Sequence, residues 1–377
     1  MLFRLALNTP KFDVFRLLNV ELLHFLEQSV HTNIFARTLF TPGAIGQACW
    51  ENARENDPRA EKDLTRDKFE TLFTALNRAG NGTKQQLFDV TRDNQDLEVF
   101  FRVPQRGLLN FLSKPCLKAL GKLCTHLYSA TKDLRPVVRA ANGINITDHF
   151  NTYRQQSING NICKACGMEK LAVFRAAIQD GDQWRADYDH QLCKSKYPIF
   201  AIHPINLIPL CDVCNQDAKK AKDLFKHKNG TDRLAFYPYT EEAKGLIDVD
   251  IGNLRDPEPT IKVNWNTTDR VLTDKLNTWD EIYEIRSRVE GQFRSLEAII
   301  EDEIQPIDSD HLAMRIRDEA RARPTATLKR KEWAFWYHKL FSALERADHR
   351  PFIAKWSFVQ QQGEDGAKFI LNPNCEG

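Results

Sequence analysis

Asp189 and His190 stand side by side, Asn206 opens the run Asn206-Leu-Ile-Pro-Leu-Cys211, and Cys214 is followed at once by Asn215. Upstream lies a second pair of the same spacing, Cys163-Lys-Ala-Cys166. A carboxylate, an imidazole and a carboxamide between metal-type cysteine pairs, with a second carboxamide directly after the last cysteine, suit one chemistry above others, hydrolysis of a phosphodiester. That reaction needs a base to activate water, a cation to neutralise the phosphate and the leaving oxygen, and something to hold both in register. His190 can be the base, and Asp189 is a hard oxygen donor suited to Mg²⁺. Successive strand residues point to opposite sides, so a local bend is needed to bring Asp189 and His190 to one phosphate. Asn215, at the expected start of a helix, offers a neutral second oxygen. Asn206 can both donate and accept, which suits it to pin the backbone of the histidine loop.

Two Cys-x-x-Cys pairs can supply a tetrahedral four-thiolate zinc site, each pair forming one knuckle. With all four positions taken by Cys163, Cys166, Cys211 and Cys214, zinc has no open position for water or substrate. Its expected role is structural, replacing a core that so small a module cannot build. Five further cysteines, Cys49, Cys116, Cys124, Cys193 and Cys375, are scattered and read as reduced, mostly buried thiols. This usage implies a reducing, cytoplasmic compartment.

The stretch resembles the HNH, or ββα-metal, endonuclease superfamily in its zinc-containing, four-cysteine branch. The residues that carry the resemblance are Cys163/Cys166, Asp189-His190, Asn206-Leu207-Ile208-Pro209-Leu210-Cys211 and Cys214-Asn215. The resemblance implies that His190 is the general base, that Asp189 and Asn215 bind one divalent cation such as Mg²⁺, and that Asn206 braces the base. Asn in the last position makes this an H-N-N variant and keeps an oxygen ligand. It further implies 5′-phosphate and 3′-hydroxyl products. Three features depart from the compact pattern. An insertion is expected around Ala176 to Trp184; Cys193 is a rival zinc ligand; and His203 is a rival base, although it lacks an adjacent carboxylate. Phe236-Tyr-Pro-Tyr239 is weakly reminiscent of bacterial members.

The elements that must position these groups can be read from the remaining chain. Its 377 residues are too many for one simple core, and 42% are apolar. The expected class is a mainly α multidomain protein with a central α+β zinc-stapled module. Residues 1–155 form a helical scaffold or recognition domain, 156–232 the nuclease-like module, and 233–377 short strands followed by a helical domain. Leu117, Leu120, Cys124, Leu127 and Tyr128 recur at helical spacing. Asn8-Thr9-Pro10, Thr41-Pro42-Gly43, Gly80-Asn81-Gly82 and Asn142-Gly143 read as loops. After Pro238, Pro257 and Pro259, the alternation of Ile261, Val263 and Trp265 predicts a strand. Trp279, Ile282, Ile285, Val289, Phe293, Leu296 and Ile300 predict one long amphipathic helix. A further helix runs through Trp333, Trp336, Leu340 and Leu344, with Pro324 as the break before it. No apolar run approaches a membrane span, and Arg4, Lys11 and Asp13 interrupt any signal-peptide core.

Net charge is only +2, so nucleic-acid contact must come from local patches. Lys219, Lys220, Lys222, Lys226 and Lys228 are expected along one short helix after Asn215, where they would touch backbone phosphates rather than read bases. Asp217 and Asp223 dilute that run, and an ordinary solvated face is the competing reading. Arg321, Arg323, Lys329, Arg330 and Lys331 form a second, softer cluster. His227 is expected too far along the helix to reach the metal.

The resemblance therefore implies a bacterial or phage-type DNA endonuclease acting in defence against foreign DNA. A separate ATPase or sensor subunit, or self-association through the helical domains, is an expected partnership. Two alternatives stay open: a non-enzymatic zinc module that binds nucleic acid or a partner protein, and an RNA-cleaving effector on the same scaffold. The intact Asp-His pair favours the enzyme.

Overall fold

The apolar stripes fold into helices, and the protein is mainly helical. A computed structural model describes every residue except 57–63, 106, 180–181, 255, 257–258 and 372–377, with 361–371 described in backbone alone. Pro257 and Cys375 lie outside the described residues. The chain divides into two compact units. One comprises Arg4–Cys163 with Lys170–Glu241; the other comprises Met1–Phe3, Lys164–Glu169 and Glu242–Gly377. Among the described residues no helix is long and apolar enough to cross a membrane.

The first of these units opens with α1 (Asp13–Val30), α2 (Ala44–Glu51), α3 (Thr65–Ala79), α4 (Asn81–Asp93), α5 (Leu97–Arg102), α6 (Lys114–Ser129), α7 (Arg135–Ala140) and α8 (Ile146–Tyr153). Phe25 meets Phe40, Phe69 and Phe73 in its aromatic core. Helix α6 starts where Ser113 accepts from the Cys116 amide and Pro115 occupies the first turn. Its buried stripe is Leu120, Leu123, Cys124 and Leu127, each leucine contributing roughly 2 kcal/mol by burial. Leu117 departs from that stripe and is exposed. The Gly80-Asn81-Gly82 loop contracts to a single residue. Gly80 takes a φ of +92° to end α3, and Asn81 already begins α4.

Two short strands follow in the same unit, β1 (Tyr188–His190) and β2 (Leu207–Pro209). They pair antiparallel, with Asp189 opposite Ile208 and His190 opposite Leu207. After β2 the backbone makes a π-helical segment, Val213–Lys219. It ends abruptly at Lys220, whose φ is +51°. The helix expected to run on through Lys228 therefore stops at Lys219. The Asp223 carboxylate explains why: it accepts from the Phe225 amide at 2.9 Å and the Tyr197 hydroxyl at 3.1 Å, a local turn that competes with helix.

The other unit carries β3 (Ile247–Gly252) and β4 (Thr260–Trp265), paired antiparallel from Ile247↔Trp265 to Gly252↔Thr260. Ile261 and Val263 face its interior. Helices α9 (Arg270–Tyr283), α10 (Ile285–Phe293), α11 (Leu296–Ile304), α12 (Ser309–Ala320), α13 (Thr325–Leu328), α14 (Ala334–Arg346) and α15 (Arg350–Leu371) follow. The long helix expected from Trp279 to Ile300 is thus three helices. Glu284 adopts left-handed backbone, and the Asp280 carboxylate caps the restart by accepting from the Arg286 amide at 2.8 Å. Every apolar residue of that stripe is nonetheless buried. Residues 164–169 are gripped by this unit's tryptophans: Trp279 Nε1 donates to the Ala165 carbonyl at 2.8 Å and Trp336 Nε1 to the Cys166 carbonyl at 2.7 Å.

Candidate active site

Cys163, Cys166, Cys211 and Cys214 are all buried, and their sulfurs lie within 4.8 Å of one another. Tetrahedral zinc with Zn–S bonds of ~2.3 Å would set the sulfurs about 3.8 Å apart, so a modest contraction closes the site. Two backbone amides already point at sulfur: Met168 N–H at Cys166 Sγ, 3.4 Å, and Cys211 N–H at Cys163 Sγ, 3.5 Å. Such donors offset thiolate charge, and four buried thiols with no disulfide partner fit a metal ion such as zinc. Gly167 turns the first knuckle with a φ of +71°. Cys193 is outside this cluster, buried and accepting from the Ser195 hydroxyl at 3.8 Å.

Asp189, His190 and Asn215 line one cavity of about 410 Å³, together with Tyr128, Lys194 and Lys219. His190 is 8% exposed, and its Nε2 donates to the Ala201 carbonyl at 2.9 Å. A carbonyl can only accept, so this bond puts the proton on Nε2 and leaves the lone pair on Nδ1. Nδ1 has no partner among the described residues. Burial, reinforced by the charges of Lys194 and Lys219, pulls the imidazole pKa down to about 3 against the raising effect of the Ala201 bond. The ring is therefore neutral and able to accept a proton, though a weak base until negative charge arrives beside it.

Asn206 is fully buried and braces the loop that follows His190. Its Oδ1 accepts from the Leu192 amide at 2.7 Å, and its Nδ2 donates to the Leu192 and Phe200 carbonyls at 3.1 and 2.9 Å. Those bonds tie the end of β1 to the turn that presents Ala201, which fixes the imidazole through its own carbonyl partner. Asn215 is half-buried at the start of the π-helical segment, and its carboxamide has no partner among the described residues.

Asp189 is held differently from the sequence expectation. It is 3% exposed; Oδ1 accepts from Lys219 Nζ at 2.8 Å and Oδ2 from Gln191 Nε2 at 2.7 Å. Lys219 Nζ also donates to the His190 carbonyl at 2.7 Å. Burial raises the Asp189 pKa, and the Lys219 ammonium opposes that shift. Lys219 is 1% exposed, so it is not the solvent-facing phosphate contact expected of the lysine run. Lys220 and Lys226 are exposed and Lys222 half-buried, and of these Lys220 lines the cavity. The residues in this arrangement do not fit Mg²⁺: both Asp189 oxygens are engaged and a cation already sits on one of them. Two unit charges ~4 Å apart at an effective dielectric of ~20 repel by about 4 kcal/mol, and a divalent ion would double this.

Other groups singled out in the sequence lie elsewhere. His203 is buried, donates from Nε2 to the Gln95 carbonyl at 3.1 Å, and is not among the cavity's lining. In the second basic cluster Arg321 pairs with Asp318, Arg323 with Glu319 and Lys331 with Glu303. Sequence reasoning missed Tyr128, whose ring stands edge-on 4.4 Å from the His190 ring and whose hydroxyl burial holds protonated, pushed up to about 12. Its helical spacing pointed to a core stripe, and nothing local ties α6 to a site sixty residues away. Gln191 and the Ala201 carbonyl were also missed, since neither carries a side-chain pattern that marks it. Comparison with known proteins finds no matching protein-family model, no matching curated protein and no matching solved structure.

Proposed function

We propose that this chain is an HNH-type endonuclease that hydrolyses DNA phosphodiester bonds, with His190 as general base. The observation that carries the reading is the tautomer lock: Nε2–H is tied to the Ala201 carbonyl, Nδ1 has no partner among the described residues, and His190 lines the cavity shared by Asp189 and Asn215. Asn206 holds that lock through both ends of the loop. Four clustered cysteines supply the staple that the same architecture requires.

In this mechanism a water oxygen attacks phosphorus in line, and its proton passes to His190 Nδ1. The P–O3′ bond breaks, leaving a 5′-phosphate, and the 3′ oxygen takes a proton from solvent. The substrate's own negative charge raises the His190 pKa as it enters, so the base strengthens where it is needed. The Asn215 carboxamide, without a partner among the described residues, and exposed Lys220 are among the cavity's groups available to orient a phosphate. DNA as substrate, and defence against foreign DNA as context, rest on the family resemblance of the motif.

One observation favours a second reading, a non-enzymatic zinc module. Asp189 is neutralised by a buried lysine rather than presented for catalysis. Incubating the purified protein with supercoiled and single-stranded DNA and with RNA, beside His190→Ala, separates the readings. Cleavage of DNA lost in the variant with zinc content unchanged supports the enzyme. Equal cleavage by the variant, or none by either protein, overturns it; cleavage of RNA alone points to the effector.

A further inference from the structure

Lys219, like the Asp189 it pairs with, has an environment that contradicts the role its sequence context suggests. Its ammonium has three protons. Two go to Asp189 Oδ1 and the His190 carbonyl. The third has no partner among the described residues, and Lys219 belongs to the lining of the cavity that holds His190 and Asn215. Carboxylate oxygen and backbone carbonyl are oxygen donors of the kind a hard cation uses. Here the chain supplies the cation itself. Lys219 ends the π-helical segment, Lys220 follows with a φ of +51°, and the Lys219 side chain is buried rather than on a solvent face.

We propose that Lys219 is a catalytic residue, its ammonium serving as the resident cation that neutralises the scissile phosphate, so that the site works without a divalent metal. The proposal rests on the hydrolytic reading above. Lys219 transfers no proton in this scheme. The water O–P bond forms, the P–O3′ bond breaks, the water proton goes to His190 Nδ1, and the departing oxygen is protonated by solvent while the third ammonium N–H stabilises charge on the phosphate. Asp189 then positions the ammonium and has no direct role at phosphorus.

Two measurements on the full chain with its zinc content verified test this. The first is Mn²⁺ binding followed by electron paramagnetic resonance, which needs no substrate. The expected result is that wild type binds no Mn²⁺ at millimolar concentration, that Lys219→Ala gains a site, and that adding Asp189→Asn removes it. A wild-type Mn²⁺ site abolished by Asp189→Asn overturns the proposal and leaves the endonuclease reading standing. The second is DNA cleavage with and without added Mg²⁺. Wild type should cut without it and gain nothing from it, while Lys219→Met should lose ~10²–10³-fold, the scale of deleting one charge-stabilising donor. Cutting only when Mg²⁺ is added overturns the resident-cation assignment alone. No cutting under any condition removes the hydrolytic reading and the catalytic role with it. Should the variants fail to fold, the wild-type Mn²⁺ titration and Mg²⁺ dependence decide the question unaided.

Discussion

Replacing Asn206 with alanine removes a side chain with no solvent exposure and three hydrogen bonds, and the cost can be counted bond by bond. Among the described residues the Leu192 amide and carbonyl each find their partner in Asn206 alone. The Phe200 carbonyl is less exposed to loss, because it also accepts from the His203 amide at 3.1 Å. Two backbone groups are therefore orphaned in a buried loop, at about 1–3 kcal/mol each, or roughly 2–6 kcal/mol in all. A chain of two units does not unfold as one two-state system, so a global melting curve is the wrong instrument. Hydrogen exchange at the Leu192 and Gln191 amides reads the loop directly. With tenfold per 1.4 kcal/mol, protection there should fall by roughly 30-fold to 10⁴-fold. Nitrogen shifts of His190 should show the Nε2–H tautomer giving way to a mixture, because the Ala201 carbonyl is no longer held. Asn206→Asp keeps the acceptor for the Leu192 amide and should cost less at that amide while still freeing the Leu192 carbonyl. Protection within about threefold of wild type in Asn206→Ala, a change below ~0.7 kcal/mol, would refute the bracing argument.

Cys211→Ser should lower bound zinc and collapse exchange protection across residues 188–215, since a hydroxyl is a poor zinc ligand at neutral pH; full zinc content with normal protection would count against the four-thiolate site. Gly167→Ala should destabilise the first knuckle, because its φ is +71° and a new Cβ would lie 2.5 Å from Leu2 Cδ2; a variant with unchanged zinc dissociation rate would show that the turn tolerates a side chain. His149 is stacked on Phe12, and burial lowers its pKa to about 4 from 6.5. The unfolded chain then binds a proton that the folded one refuses, so the stabilisation is complete above pH 6.5 and is lost as pH falls toward 4. It is worth at most roughly 3 kcal/mol. Imidazole resonances of His149 titrating near 6.5 in the folded protein would contradict this.

The residue types that could do chemistry were legible from spacing alone. Cysteine pairs advertise a metal site because tetrahedral ligation imposes close pairs, and the four sulfurs do converge. Apolar periodicity identified the buried faces of α6, α9, α10 and α14, because burial selects side chains at 3.6-residue intervals whatever the helix ends do. It could not show that Glu284 breaks one stripe into separate helices. That break turns on a single left-handed residue and a capping carboxylate, which leave no trace in the hydrophobic pattern.

Within the site the same division holds. Asn206 as a brace followed from its amide chemistry and its place in the return loop, both local properties. The partners of Asp189 did not, because Lys219 is thirty residues away and reads as one of five similar lysines. Lys219, at the end of the π-helical segment, is the lysine that turns inward, and its neighbour Lys220 stays exposed. Tertiary structure also delivered Tyr128 from α6 to the imidazole. The sequence by itself determined which groups are available and where zinc would staple them. Only the fold decided the charge beside each one, because electrostatic environment depends on neighbours brought together through space, and a linear pattern does not record them.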